Sequence, residues 1–84
     1  MTCPAITEEI LRHRLSINVR RGRAAAGLTL KRAGERAEMH WRHWQKIEAA
    51  EVNVTLQTLV RIGYALGLDP AELVREPPDP DKTR

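Results

Sequence analysis

Leu11, Leu15, Val19, Gly22 and Ala26 recur at intervals of four, four, three and four, which is the repeat of one helix face. The segment opens with Pro4 and then Thr7-Glu8-Glu9, whose carboxylates complement the positive end of a helix dipole. It closes at Gly27, a residue that accepts the left-handed conformation terminating many helices. The pattern therefore predicts a long first helix ending near Ala26, with the Leu11–Ala26 face turned to the core. Ile6, Ile10 and Ile17 fall elsewhere around the wheel and form a second apolar stripe. That stripe would pack beneath the C-terminal helix of its own chain or form a dimer surface, and the second reading is preferred.

Further along, Thr29 is placed to cap a short second helix from Leu30 to about Ala37, with a break near Glu38-Met39. His40 then takes the cap position of a third helix, Trp41 to Glu48, in which Trp44 and Ile47 face inward together. Residues 49–54 read as a loop. After Thr55, the series Leu56, Leu59, Val60, Ile62-Gly63 and Leu66 predicts a fourth helix stopped by Gly67. Asp69-Pro70-Ala71-Glu72 supplies a cap, a first-turn proline and a capping-box glutamate for a short fifth helix through Leu73-Val74. The expected fold class is all-α, with five helices and an extended first one.

Composition limits this picture to one domain: 84 residues with 42% hydrophobic and 30% charged positions suit a single soluble core. The domain is expected over residues 1–75. Residues 76–84, beginning Glu76-Pro77-Pro78-Asp79-Pro80-Asp81, read as a disordered tail without large apolar side chains. No apolar run approaches the roughly 18 residues of a membrane span, and the start has no signal-peptide pattern, so a cytoplasmic protein is expected. The single Cys3 has no second cysteine for an internal disulfide or a structural zinc site.

Charge is uneven. Between Asn18 and Lys46 lie eight basic and two acidic residues, a net of six positive, whereas the preceding segment is neutral and the following one acidic. A positive excess confined to one stretch suits a polyanion, because phosphate contacts supply most non-specific nucleic-acid affinity; the bland alternative is a solvated basic face.

Two short helices with a tight break between them, inside a five-helix chain, suggest a helix-turn-helix. The residues carry a more specific likeness. Gly27-Leu28-Thr29, then Ala37, Met39, Trp44 and Lys46-Ile47-Glu48, then Thr55-Leu56-x-x-Leu59-x-x-Ile62-x-x-Ala65-Leu66-Gly67-Leu68 resembles the lambda-repressor-like family, the xenobiotic-response-element type of transcriptional regulators. The likeness covers roughly Leu15 to Val74.

The resemblance implies that the second helix crosses the DNA backbone while the third lies in the major groove. Residue chemistry agrees: Arg42 can donate twice to guanine O6 and N7, Gln45 can pair with adenine N6 and N7, and Lys46 can reach guanine or a phosphate. With Trp44 and Ile47 inward, Trp41, Arg42, Gln45 and Lys46 form the expected base-reading set. Trp41 would touch a thymine methyl or the sugar backbone, with a protein interface as the alternative. Arg20, Arg21, Lys31, Arg32, Arg36, His40 and His43 are candidate phosphate contacts. Arg23 and Glu48 match a structural ion pair of the family, so Arg23 is assigned to the fold.

Three departures from the family pattern carry expectations of their own. Trp44 replaces a mid-sized aliphatic, and Gly22, Ala33 and Gly34 are expected to make room for its indole. Leu30 stands where many relatives have a phosphate-holding glutamine. Glu38 stands where the turn usually has glycine; a left-handed glutamate would be strained by roughly 1 kcal/mol, which leaves the shape of the turn open.

No nucleophile with a base, no paired carboxylates and no glycine-rich phosphate loop is present, so an enzyme is not expected and no cofactor is called for. His40 and His43 have the spacing of metal ligands but lack further partners, and capping or groove-facing polar roles are preferred. The expected function is a DNA-binding regulator, a repressor acting as a homodimer on a two-fold operator. Ile6, Ile10, Ile17 and Leu73 are its candidate dimer residues. The rival is an antitoxin or adaptor whose main partner is a protein, such as a toxin or another regulator.

Overall fold

The computed structural model describes residues 5–78, which form five helices: α1 (Glu8–Ala26), α2 (Leu30–Arg36), α3 (Trp41–Glu48), α4 (Leu56–Leu66) and α5 (Pro70–Leu73). Cys3 and most of the expected tail, residues 79–84, lie outside the described residues. Glu76, Pro77 and Pro78 are in no regular element. None of the helices is long and apolar enough to cross a membrane.

Local chemistry sets the boundaries. The hydroxyls of Thr7, Thr29 and Thr55 each accept from the backbone N–H three residues on, at 3.1, 3.1 and 3.0 Å, which satisfies an orphan donor at the start of α1, α2 and α4. At α5 the Asp69 carboxylate accepts instead from the N–H two residues on, Ala71 N at 2.8 Å. At the other ends Gly27 (φ 69°) and Gly67 (φ 71°) adopt the left-handed conformation that closes α1 and α4.

The core is one cluster in which Leu15 and Val19 of α1 meet Ala33, Trp44, Ile47 and Ile62 from the other helices. α3 packs chiefly on α2 and α1, and α4 packs on α5, α2 and α1. The end of α5 is tied back to α1 by Asn18, whose Nδ2 donates to the carbonyls of Leu73 at 3.0 Å and Arg75 at 2.8 Å.

Several expectations are corrected. Leu73, a candidate dimer residue, is 0% exposed: the short α5 turns it into the core, where no second chain reaches it. Leu11 is 39% exposed and Ala26 is exposed, because α1 is longer than the helices that cover it and only its middle meets the core. Leu56 and Val60 also point outward. Leu59, Ile62 and Leu66 already fill the inward face of α4, and the i, i+4, i+8 row of Leu56, Val60 and Tyr64 lies on the opposite side.

The glycines make room, but not for Trp44. A Cβ on Gly22 would stand 2.9 Å from Leu66 Cδ1 and 3.2 Å from Leu68 Cδ1, so this glycine admits the end of α4. A Cβ on Gly34 would stand 2.9 Å from the Met39 carbonyl oxygen and 3.1 Å from the Trp41 nitrogen and Cα, so it lets the start of α3 cross α2. Ala33 is fully buried in the same core as Trp44.

The turn keeps the left-handed geometry despite its side chain: Glu38 has φ 58°, and Met39 N closes onto Gly34 O at 2.9 Å. Ala50, with φ 60°, plays the same part after α3, where Glu51 N returns to Lys46 O at 3.0 Å.

Because the atoms opposing Gly34 are backbone, Gly34→Ala is expected to destabilise the domain by about 1–3 kcal/mol in urea denaturation. A loss below about 0.5 kcal/mol would mean that α3 slides freely over α2.

Candidate nucleic-acid interface

The side chains available to a ligand are fixed from below by a buried polar cluster. Trp44 is 0% exposed, and its indole Nε1–H donates to Glu48 Oε2 at 2.6 Å. Arg23 Nε donates to the same oxygen at 2.6 Å, and Arg23 Nη2 donates to Oε1 at 3.1 Å. The third guanidinium nitrogen, Nη1, donates to the Leu28 carbonyl at 3.0 Å, and Ser16 Oγ donates to the carbonyl of Glu48. The Arg23–Glu48 pair thus joins the end of α1, the loop after it and the end of α3.

The Arg23 side chain is 25% exposed and that of Glu48 only 9%. The hydrogen bond to Glu48 holds the Arg23 guanidinium above its ordinary value, against the opposing effect of burial. A raised value stabilises the fold below it and is lost only as pH rises through it, so Arg23 stays cationic at any ordinary pH.

Trp44 and Glu48 are four apart on α3, a spacing at which side chains meet, so this bond was readable from the sequence. The Ser16 contact joins residues 32 apart and had no sequence signal.

With Trp44, Ile47 and Glu48 inward, the opposite side of α3 presents Arg42, Gln45 and Lys46, all exposed, with Trp41 partly buried at its edge. The structure brings these four together on one short helix. The Arg42 guanidinium carbon sits 5.5 Å from the Trp41 ring centroid, within cation–π range. His40 stacks beside the same indole, with ring centroids 5.7 Å apart at 28°, and its Nδ1 accepts from Arg42 N at 3.0 Å. The His40 cap therefore uses one ring nitrogen and leaves Nε2 to donate elsewhere.

The expected phosphate contacts are more dispersed. Lys31 and Arg32 occupy the exposed first turn of α2, where Arg32 is paired with Glu35 at 3.0 Å. His43 is exposed on α3. Arg20 and Arg21 border a groove on α1 with Ile17 and Ala24. Arg36 lies at the far end of α2, in a groove shared with Glu38, Val60, Arg61 and Tyr64. Among the described residues no three His, Cys, Asp or Glu side chains gather into a metal cluster.

The sequence reading missed the exposed apolar row on α4: Leu56 is 81%, Val60 56% and Tyr64 79% exposed. Its i, i+4, i+8 spacing is legible in the sequence, but the helical pattern that predicts α4 does not say which of its apolar residues face the core.

An α2–turn–α3 unit with a polar outer face, carried on α1, α4 and α5, defines a helix-turn-helix protein. Residues 14–75 match the family model described as a helix-turn-helix domain, and the chain belongs to that family. Among solved structures it is similar to the clp gene regulator ClgR from C. glutamicum, with 27% identity over 75% of this chain and 82% of that one and a TM-score of 0.70. It also shares the fold of the hypothetical transcription factor NHTF from Neisseria, with 24% identity, 90% and 88% coverage and a TM-score of 0.79. No curated protein matches the chain.

The hub yields a direct test. Glu48→Ala strands the Arg23 charge and the Trp44 donor, and is expected to cost about 3–5 kcal/mol in chemical denaturation. Arg32→Ala, which breaks only the exposed pair with Glu35, should change stability by less than about 0.5 kcal/mol.

Proposed function

We propose that this chain is a sequence-specific DNA-binding transcriptional regulator whose α3 lies in the major groove, and that it represses by occupying a two-fold operator as a homodimer. The observation that carries this reading is the outward side of α3, where Arg42, Gln45 and Lys46 stand exposed together on a helix locked from beneath. Family membership supports it, as does the likeness to the clp gene regulator ClgR.

In this reading Arg42 takes guanine O6 and N7, Gln45 takes adenine, and Lys46 takes guanine or a phosphate. Lys31, Arg32, His43 and the free Nε2 of His40 hold the sugar-phosphate backbone, and Arg20, Arg21 and Arg36 add long-range attraction. Leu30, partly buried and packed against the core, makes no polar phosphate contact at the start of α2. The exposed Thr29, Lys31 and Arg32 beside it take over that part of the interface.

One domain of this size contacts few bases, so specificity calls for two copies. The Leu56–Val60–Tyr64 row on α4 is the most exposed apolar surface and takes the place of Leu73 as a dimer candidate. Ile6 and Ile10, 48% and 39% exposed, form the other, while Ile17 is half-buried beside Arg20 and Arg21.

Lys31→Ala should weaken binding alike on all duplexes and reduce the slope of log affinity against log salt by about 0.9. Arg42→Ala should instead cost about 1–3 kcal/mol at one base pair and relax preference there. No retention on heparin or random duplex at low salt would refute the DNA-binding reading and favour a protein partner. For the dimer, Leu56→Ser with Tyr64→Ser should yield monomers in sedimentation while the isolated fold persists; unchanged dimers would shift the interface to the Ile6 and Ile10 surface.

A further inference from the structure

At the start of α3, Trp41, the apolar member of the base-reading set, is held by three contacts. Its backbone rests against Gly34, where even a Cβ would stand 3.1 Å from the Trp41 nitrogen. His40 stacks beside its ring at 5.7 Å, and the Arg42 guanidinium lies over it at 5.5 Å. Neighbouring positions on a helix ordinarily diverge, so the approach of Arg42 to Trp41 is a built contact rather than a consequence of spacing.

The contact with the indole gives the guanidinium N–H donors no hydrogen-bond acceptor. Among the described residues no carboxylate lies within ion-pair distance of Arg42. The N–H fork is therefore unoccupied, and the apolar indole lies immediately beside it.

Resting on the major-groove reading of α3, the geometry points to a specific ligand: a 5-methylpyrimidine–guanine step, T-G or 5-methylcytosine–guanine. Arg42 pairs with guanine O6 and N7, and the Trp41 indole covers the C5 methyl of the pyrimidine on its 5′ side. In the major groove these groups lie one base step apart, about 3.4 Å along the strand. An apolar surface discriminates for the C5 methyl of thymine or 5-methylcytosine over the bare C5–H of uracil or cytosine. Trp41 is thus both a contact for one base and a positioning residue for the side chain that reads the next.

The test alters the DNA rather than the protein. Bound duplexes are selected from a random pool, and the guanine whose preference is lost in Arg42→Ala is identified. The base on its 5′ side is expected to be thymine. Replacing that thymine by deoxyuracil removes one methyl group and should weaken binding of the unaltered protein about fourfold, and adding a methyl to cytosine at the same place should strengthen it by a similar factor. In Trp41→Ala, and in Trp41→Ser as a second variant, both methyl effects should vanish. Equal binding of thymine and deoxyuracil duplexes by the unaltered protein would overturn the proposal, as would methyl effects that persist in both Trp41 variants. Failure to bind any duplex at low salt would overturn the major-groove reading itself, and this inference with it.

Discussion

The structure depends on where one carboxylate finds its donors. Glu48 is almost wholly buried, and a carboxylate so placed is tolerated only when its lone pairs are satisfied. Arg23 reaches it from α1 with two nitrogens and Trp44 reaches it from one turn back on α3. The consequences are geometric. Because the donors come from two helices, satisfying Glu48 fixes the rotation and height of α3 against α1. Once that rotation is set, Arg42, Gln45 and Lys46 have no orientation but outward.

A second constraint positions the other end of α3. Gly34 lets the backbone at Met39 and Trp41 approach α2 more closely than any side chain would permit, and Glu38 bends the chain through a left-handed conformation to bring it there. The helix is therefore held at its C-terminal end by a polar cluster and at its N-terminal end by backbone contact. Between these anchors a helix of eight residues has little freedom, which is what base reading demands of the element that carries it.

Much of this was legible in the sequence. The helices, their threonine and glycine boundaries, the Arg23 and Glu48 pairing and the exposed residues of α3 followed from periodicity, capping chemistry and family resemblance. What was not legible involved choices that periodicity leaves open. α4 carries apolar residues on two faces, so pattern alone could not say that Leu56 and Val60 point away from the core. Leu73 could not be told from a surface leucine because α5 is too short to show a repeat. Gly22 and Gly34 serve close approaches by Leu66, Leu68 and the start of α3 rather than the Trp44 indole. Those contacts are set by tertiary crossing, which sequence spacing does not encode.

The most direct test of the account is the chemical-shift change in NMR spectra on titration with a duplex selected from a random pool. Binding through α3 predicts that the largest changes fall on the amides of residues 40–46, the Trp41 indole N–H and the first turn of α2, while the Trp44 indole N–H, held by Glu48, moves little. Changes confined to α4 and the first turns of α1, with α3 unperturbed, would contradict it.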